Sequence, residues 1–174
     1  MAKIEELYQE TILEHSQQPR NFGKIKKADY FAEGFNPLCG DHYWVYIKID
    51  PVRNSKGSDY TNSLRGKQPK ISNGVNHKTI KDITFEGNGC ALSRASASLM
   101  TEALEGKKIK EAIKIFQDFQ KLVKGEKLSS KIPPKLSVFS GISRFPLRVK
   151  CVLLPWQTMK SAILKEKFAT TEDD

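Results

Sequence analysis

The stretch NPLCGDHYWVYIKID, residues 36–50, runs from a Pro/Gly turn directly into an extended segment. Asn36, Pro37 and Gly40 are turn formers. The residues after them, His42 to Asp50, are rich in β-branched and aromatic side chains, which predicts a strand. A cysteine stands on the turn, two residues before a carboxylate. A buried structural thiol needs no such setting, whereas a metal ligand or an activated sulfur does. In extended backbone alternate side chains share a face, so Cys39 and Asp41 are placed to point the same way.

Working outward, TIKDITFEG (79–87) gives a second strand. Between the two, residues 51–78 are polar, rich in Asn, Ser, Gly and Lys, and carry almost no apolar pattern. They read as a loop inserted between paired strands. Upstream, Ile4, Leu7, Tyr8, Ile12 and Leu13 recur at helical spacing over residues 3–16, and Pro19 and Gly23 stop that helix. Residues 24–35 read as irregular or weakly extended. Downstream, NGCALSRASASLMTEALEG (88–106) is a turn followed by a helix, with Gly106 suited to its exit. A further helix is predicted at 108–123. The last segment, 147–168, reads as helical in its later part, with Pro155 expected to kink or restart it. The tail ATTEDD (169–174) is expected to fray. The pattern is that of one α+β domain over 1–168, with a small, mainly antiparallel sheet packed by helices.

The chain has 174 residues, with 39% hydrophobic and 28% charged side chains, the balance of a soluble globular domain. No apolar run approaches the roughly 18–20 residues that span a bilayer. The N-terminus is charged and helical rather than a secretory signal, so the expected location is the cytoplasm. The net charge of +9 comes mostly from lysines scattered along the chain. That argues for solvated faces, or for steering of an acidic protein partner, rather than for a nucleic-acid groove. No Ser-His-Asp pattern, P-loop or GxGxxG is present.

Three cysteines are an odd number in a chain without a signal peptide, so a disulfide framework is not expected. They are three unrelated thiols or one shared site. Cys39 is on the Pro/Gly turn. Cys90 follows Gly-Asn-Gly where a helix begins, and the helix dipole there favours a thiolate. Cys151 has Lys150 and Arg148 as neighbours, which predicts a lowered thiol pKa as well. If the three converge, Asp41 is the natural fourth ligand. Three thiolates and a carboxylate suit tetrahedral zinc. They equally suit an iron–sulfur cluster completed by a non-cysteine ligand. His42 alternates to the opposite face from Asp41 and reads as a partner or surface group. His15 is expected to meet the C-terminal dipole of its helix, and His77 to be solvated.

Four blocks, HSQQPRNFG (15–23), NPLCGD (36–41), GNGCALSRASASLMTE (87–102) and FPLRVKCVLLPW (145–156), resemble in order the marks of the IscU/NifU-like iron–sulfur cluster assembly family. In the IscU branch a His precedes the last cysteine. Here that position is Lys150, and the long stretch leading to FSGISRFPLRVKC is similar to the SufU branch of zinc-dependent sulfur acceptors. The resemblance implies a SufE/NifU-like fold with a three-stranded sheet and about four to five helices. It implies Zn2+ held by Cys39, Asp41, Cys90 and Cys151, with Cys39 as persulfide acceptor and Arg148 as a supporting charge. It implies a SufS-like cysteine desulfurase as sulfur donor and downstream iron–sulfur assembly or acceptor proteins as recipients. Two further readings stand beside it: a scaffold for a transient [2Fe-2S] cluster, and a binding module whose zinc is only structural.

Overall fold

The computed structural model describes residues 2–50 and 73–171, with side chains from 9–50 and 74–171. Most of the 51–78 insertion and the end of the acidic tail therefore lie outside the described residues. The order is α1 (Ala2–Gln17), β1 (Tyr30–Asn36), β2 (Asp41–Ile49), α2 (Asn73–Asn76), β3 (Ile80–Asn88), α3 (Ala91–Leu104), α4 (Ile109–Lys124), α5 (Pro146–Ile163) and β4 (Phe168–Thr170). Two short 3-10 turns, Pro134–Phe139 and Ile142–Arg144, join α4 to α5.

The strands form one mixed sheet in the order β3-β2-β1-β4. β1, β2 and β3 are antiparallel neighbours, and β4 runs parallel to β1. Two expectations are corrected here. Residues 30–36 are not irregular but a regular strand, because Tyr30, Ala32, Gly34 and Asn36 alternate inward against β2 and α5. Polar Glu33 and the glycine at 34 had hidden that alternation. The tail does not fray at residue 169: Phe168–Thr170 adds a fourth strand, Ala169 and Thr171 are buried, and the Lys150 ammonium donates to the Thr171 carbonyl at 2.8 Å. Among the described residues the sheet thus has four strands rather than three.

One face of the sheet carries the core. α5 lies across β1 and β2, and α3 packs between α1 and α5. The small residues of α3, Ala95, Ser96, Ala97 and Ser98, are all buried and admit that close approach. Fully buried Trp156 on α5 stacks on Phe119 of α4 at 4.5 Å between ring centroids, and Phe139 closes the cluster edge-on to Phe119 at 5.7 Å. Trp156 Nε1–H and the Val152 carbonyl both meet the buried Ser96 hydroxyl, so this hydroxyl accepts one bond and donates the other.

Pro155 does not break α5, which runs unbroken from Pro146 to Ile163. A proline inside a helix removes one N–H donor, here the one that would reach the Cys151 carbonyl. The burial of every residue from Cys151 to Trp156 holds the helix together across that gap. The helix also starts earlier than its later half, with Pro146 in the first turn where a missing N–H costs nothing.

Candidate metal centre

The β1–β2 hairpin builds the first half of the site. Asn36 pairs with Asp41, so residues 37–40 form the connection, and Gly40 closes it by donating its N–H to the Asn36 carbonyl at 2.8 Å. Gly40 takes φ +73, a left-handed conformation that L side chains rarely adopt. Cys39 is exposed on this turn, while Asp41 is 1% exposed at the root of β2.

The β2–β3 pairing delivers the second half. His42 opposes Asn88, so the chain leaving β3 passes beside Asp41. The Cys90 backbone N–H donates to Asp41 Oδ1 at 2.9 Å, and Cys90 Sγ lies 3.9 Å from Asp41 Oδ2. Cys90 is the N-cap of α3, with its sulfur accepting the Ser93 N–H at 3.5 Å. The cap is braced from behind: the Ser93 hydroxyl donates to the Cys90 carbonyl at 3.0 Å and meets the buried Tyr43 hydroxyl at 2.9 Å. Gly89 has no room for a side chain, since a Cβ there would lie 2.3 Å from the Tyr43 hydroxyl oxygen.

Helix α5 supplies Cys151. It is buried in the second turn rather than at the helix tip, and its sulfur lies 3.1 Å from Cys39 Sγ. Asn36 Nδ2 points at the same sulfur from 3.8 Å, and the Leu147 carbonyl stands 3.4 Å away. Cys39, Asp41 and Cys151 offer ligand atoms all within 4.8 Å of one another. The structure therefore brings Cys39, Asp41 and Cys151 together, from a hairpin turn, a strand end and a helix interior, and sets Cys90, on a helix cap, against Asp41 beside them.

The thiols are not alike. Cys90 is pulled below the ordinary cysteine range, chiefly by hydrogen bonding from Cys151, helped by the Ser93 N–H and opposed by burial. Cys151 is pushed up, because its thiol is the donor to Cys90 and because it is buried. That overturns the expectation of a lowered Cys151: the Lys150 ammonium turns away to Thr171, and Arg148 is exposed and forms no side-chain hydrogen bond or ion pair among the described residues. Cys39 is also raised, first by burial of its sulfur and then by donation to Asp41. The surroundings of Cys90 favour its thiolate, while those of Cys39 and Cys151 favour the thiol. A divalent cation fits this donor set, since it would replace the thiol protons and convert all three thiols to thiolates.

The histidines stay outside the cluster. His42 lies on the opposite sheet face, hydrogen-bonded to Glu33 at 2.6 Å and packed on Trp44. His77 is exposed. His15 is buried rather than presented to the helix end, with Nδ1 2.7 Å from the Ser98 hydroxyl. Asn36, Tyr43 and Ser93 were not singled out in the sequence as site residues. Asn36 had a signal, an Asn-Pro turn opening, but Tyr43 and Ser93 become neighbours only through the strand register.

The NifU-like N-terminal domain family model matches residues 7–61 and 52–165, nearly the whole chain. This chain belongs to that family. Among NifU-like relatives, the iron–sulfur cluster assembly scaffold protein IscU of Thermotoga maritima is 31% identical over 159 residues, covering 91% of this chain and 94% of that one. The zinc-dependent sulfurtransferase SufU of Bacillus subtilis is 29% identical over 167 residues, covering 95% of each. A crystal structure of a candidate SUF-system scaffold protein from Fervidobacterium islandicum superposes with a TM-score of 0.70 at 30% identity, over 88% of this chain and 94% of that one. The NifU-like α+β fold expected from the sequence is thus the one observed. Among the described residues no helix is long and apolar enough to cross a membrane.

Proposed function

We propose that this NifU-like protein is a zinc-dependent sulfur acceptor in iron–sulfur cluster assembly, loaded by a cysteine desulfurase in the cytoplasm. The observation that carries the reading is the meeting of three thiols and one carboxylate, with a single sulfur at the surface. Asp41 and Cys151 are buried, Cys90 is half-buried, and Cys39 alone is exposed. Asp41, Cys90, Cys151 and Cys39 would hold the metal. Bound zinc keeps coordinated sulfurs deprotonated at neutral pH.

Cys39 is the sulfur a partner can reach. Its thiolate attacks the terminal sulfur of the desulfurase persulfide. A new S–S bond forms on Cys39, the partner's S–S bond breaks, and the partner's cysteine leaves as thiolate. One disulfide bond is exchanged for another, so no outside oxidant is required. Exposed Leu38, Phe145 and Leu147 flank the turn and the start of α5, and give a partner an apolar surface to cover beside the sulfur.

The relatives named as scaffolds favour a second reading, in which a transient [2Fe-2S] cluster forms on the same residues. Position 150 weighs against it. A lysine stands there, and its ammonium is spent on the Thr171 carbonyl rather than turned to the cluster.

The experiment is elemental analysis joined to mass mapping of thiols, before and after adding a cysteine desulfurase and cysteine. One zinc per chain and a persulfide on Cys39 are expected. A brown, iron-loaded protein with no persulfide on any cysteine sinks the sulfur-acceptor reading in favour of the scaffold.

A further inference from the structure

A cavity of about 250 Å3 lies behind the sulfur centre, and none of Cys39, Asp41, Cys90 or Cys151 lines it. Pro146, Val149, Lys150, Leu153 and Gln157 form its floor. These positions recur at helical spacing, so they make one stripe of α5, centred about 140° round the helix from Cys151. Lys124, at the end of α4, Ser143, in the second 3-10 turn, and Thr171, just after β4, complete the wall.

Its polar groups are unsatisfied in a matched way. Thr171 is 1% exposed, yet its hydroxyl has no hydrogen-bond partner among the described residues. A buried polar group left unpaired is costly, so the hydroxyl gains from any acceptor that enters. Gln157 Oε1 is also buried without a partner among the described residues and lacks a donor. Two ammonium groups line the same space, Lys124 at the rim and Lys150 held against the Thr171 carbonyl. Between these groups the lining is apolar: Pro146, Val149 and Leu153. A cavity with cations and a hydroxyl donor on one side, an acceptor on another and an apolar floor calls for three matching features in one small molecule.

We propose that this cavity binds a small α-amino acid with a short apolar side chain. The carboxylate is met by Lys124, Lys150 and the Thr171 hydroxyl, the ammonium by Gln157 Oε1, and the side chain by Val149 and Leu153. The site is separate from sulfur acceptance and does not rest on that reading.

The test uses the full chain and L-leucine, followed by backbone amide chemical shifts. Two comparison compounds each lack one charge: 4-methylpentanoate has no amine and isoamylamine has no carboxylate. Leucine is expected to shift the amides of Val149, Lys150, Leu153, Gln157 and Thr171 saturably, and to bind at least tenfold more tightly than either comparison compound. Lys124→Gln, at the exposed rim, and Thr171→Val are each expected to weaken leucine binding roughly fivefold to tenfold, the equivalent of one ordinary hydrogen bond. Metal content should be unchanged in both. Absence of saturable shifts overturns the proposal. So do shifts confined to the metal centre, equal binding of all three compounds, or binding indifferent to Lys124→Gln.

Discussion

The sulfurs of Cys39 and Cys151 lie 3.1 Å apart although 112 residues separate them in the chain. One is on an exposed turn and the other is inside a helix. Their pairing places a reachable sulfur against a fixed one, and the two should respond differently to removal. Cys39→Ala deletes little packing, so in chelator the melting temperature should move by no more than about 2 °C, the usual size of a surface change. Sulfur acceptance should be lost. Cys151→Ala leaves a small void in the second turn of α5 and should cost about 1–2 kcal/mol even without metal. Differential scanning calorimetry of the two variants in chelator checks this ranking. A Cys39→Ala protein that still forms a persulfide at the parent rate removes Cys39 from the acceptor role.

Tyr43 reaches the candidate metal centre at one remove, through Ser93 and the Cys90 cap. Tyr43→Phe keeps the ring packed against Phe85 and removes only the hydroxyl. Loss of that hydrogen bond should cost about 1 kcal/mol of stability. Freed of its brace, the cap should hold metal about tenfold more weakly, as happens when outer partners of ligands are deleted. Chelator competition followed through the cobalt-substituted protein measures this. Tyr46→Phe is the matched control, because its hydroxyl donates to Glu86 on the far face of the sheet. Equal metal affinity in the two variants would show that Tyr43 contributes stability alone.

The hairpin turn, β2, β3, α3 and α4 were legible because each carries its own local signal, and each falls within a residue or two of its expected bounds. Cys39 and Cys90 stood out for the same reason: a thiol on a turn and a thiol at a helix cap are rare enough to notice. What was not legible depends on distant contacts. β1 alternates, but its inward positions include Gly34 and Asn36, which carry no hydrophobic signal. β4 is three residues long and exists only because β1 offers an edge. Pro155 reads as a breaker because sequence shows the missing donor and not the buried surroundings that hold α5. The raised Cys151 thiol is not legible from its neighbours in sequence, since the Lys150 side chain turns to Thr171 and Arg148 is exposed.

Gly34 sets the distance between α5 and β1, and so between Cys151 and the hairpin. A Cβ there would lie 1.9 Å from Thr158 Oγ1 and 3.2 Å from Leu154 Cδ1. Thr158 cannot turn aside freely, because its hydroxyl donates to the Leu154 carbonyl at 2.8 Å. Gly34→Ala should therefore destabilise the protein by about 1–3 kcal/mol through overpacking, and should weaken metal binding by displacing α5. In a Thr158→Ala background the same change should cost at least about 1 kcal/mol less, the signature of direct coupling. Denaturant melts of the four proteins in the cycle decide it, and strictly additive losses would refute the contact.

His15 makes stability depend on pH away from the metal. It is buried, and burial holds its pKa below the ordinary 6.5; Arg20 and Lys135 add to the lowering, while Glu102 and Glu14 oppose it. The folded state thus keeps the imidazole neutral in a range where the unfolded chain binds a proton. Between the lowered folded value and 6.5 the unfolded state holds more protons, so stability rises with pH there. It is complete above about 6.5 and is lost as pH falls through the folded pKa, with a slope of at most about 1.4 kcal/mol per pH unit. His15→Gln retains a side chain able to hydrogen-bond to Ser98 but cannot titrate. The unfolding free energy of the parent minus that of His15→Gln, measured in chelator from pH 7.5 to 5, cancels the contribution of the thiols. That difference should be flat above pH 6.5 and decline below it. A difference that does not change across the range would mean that His15 is protonated equally in both states.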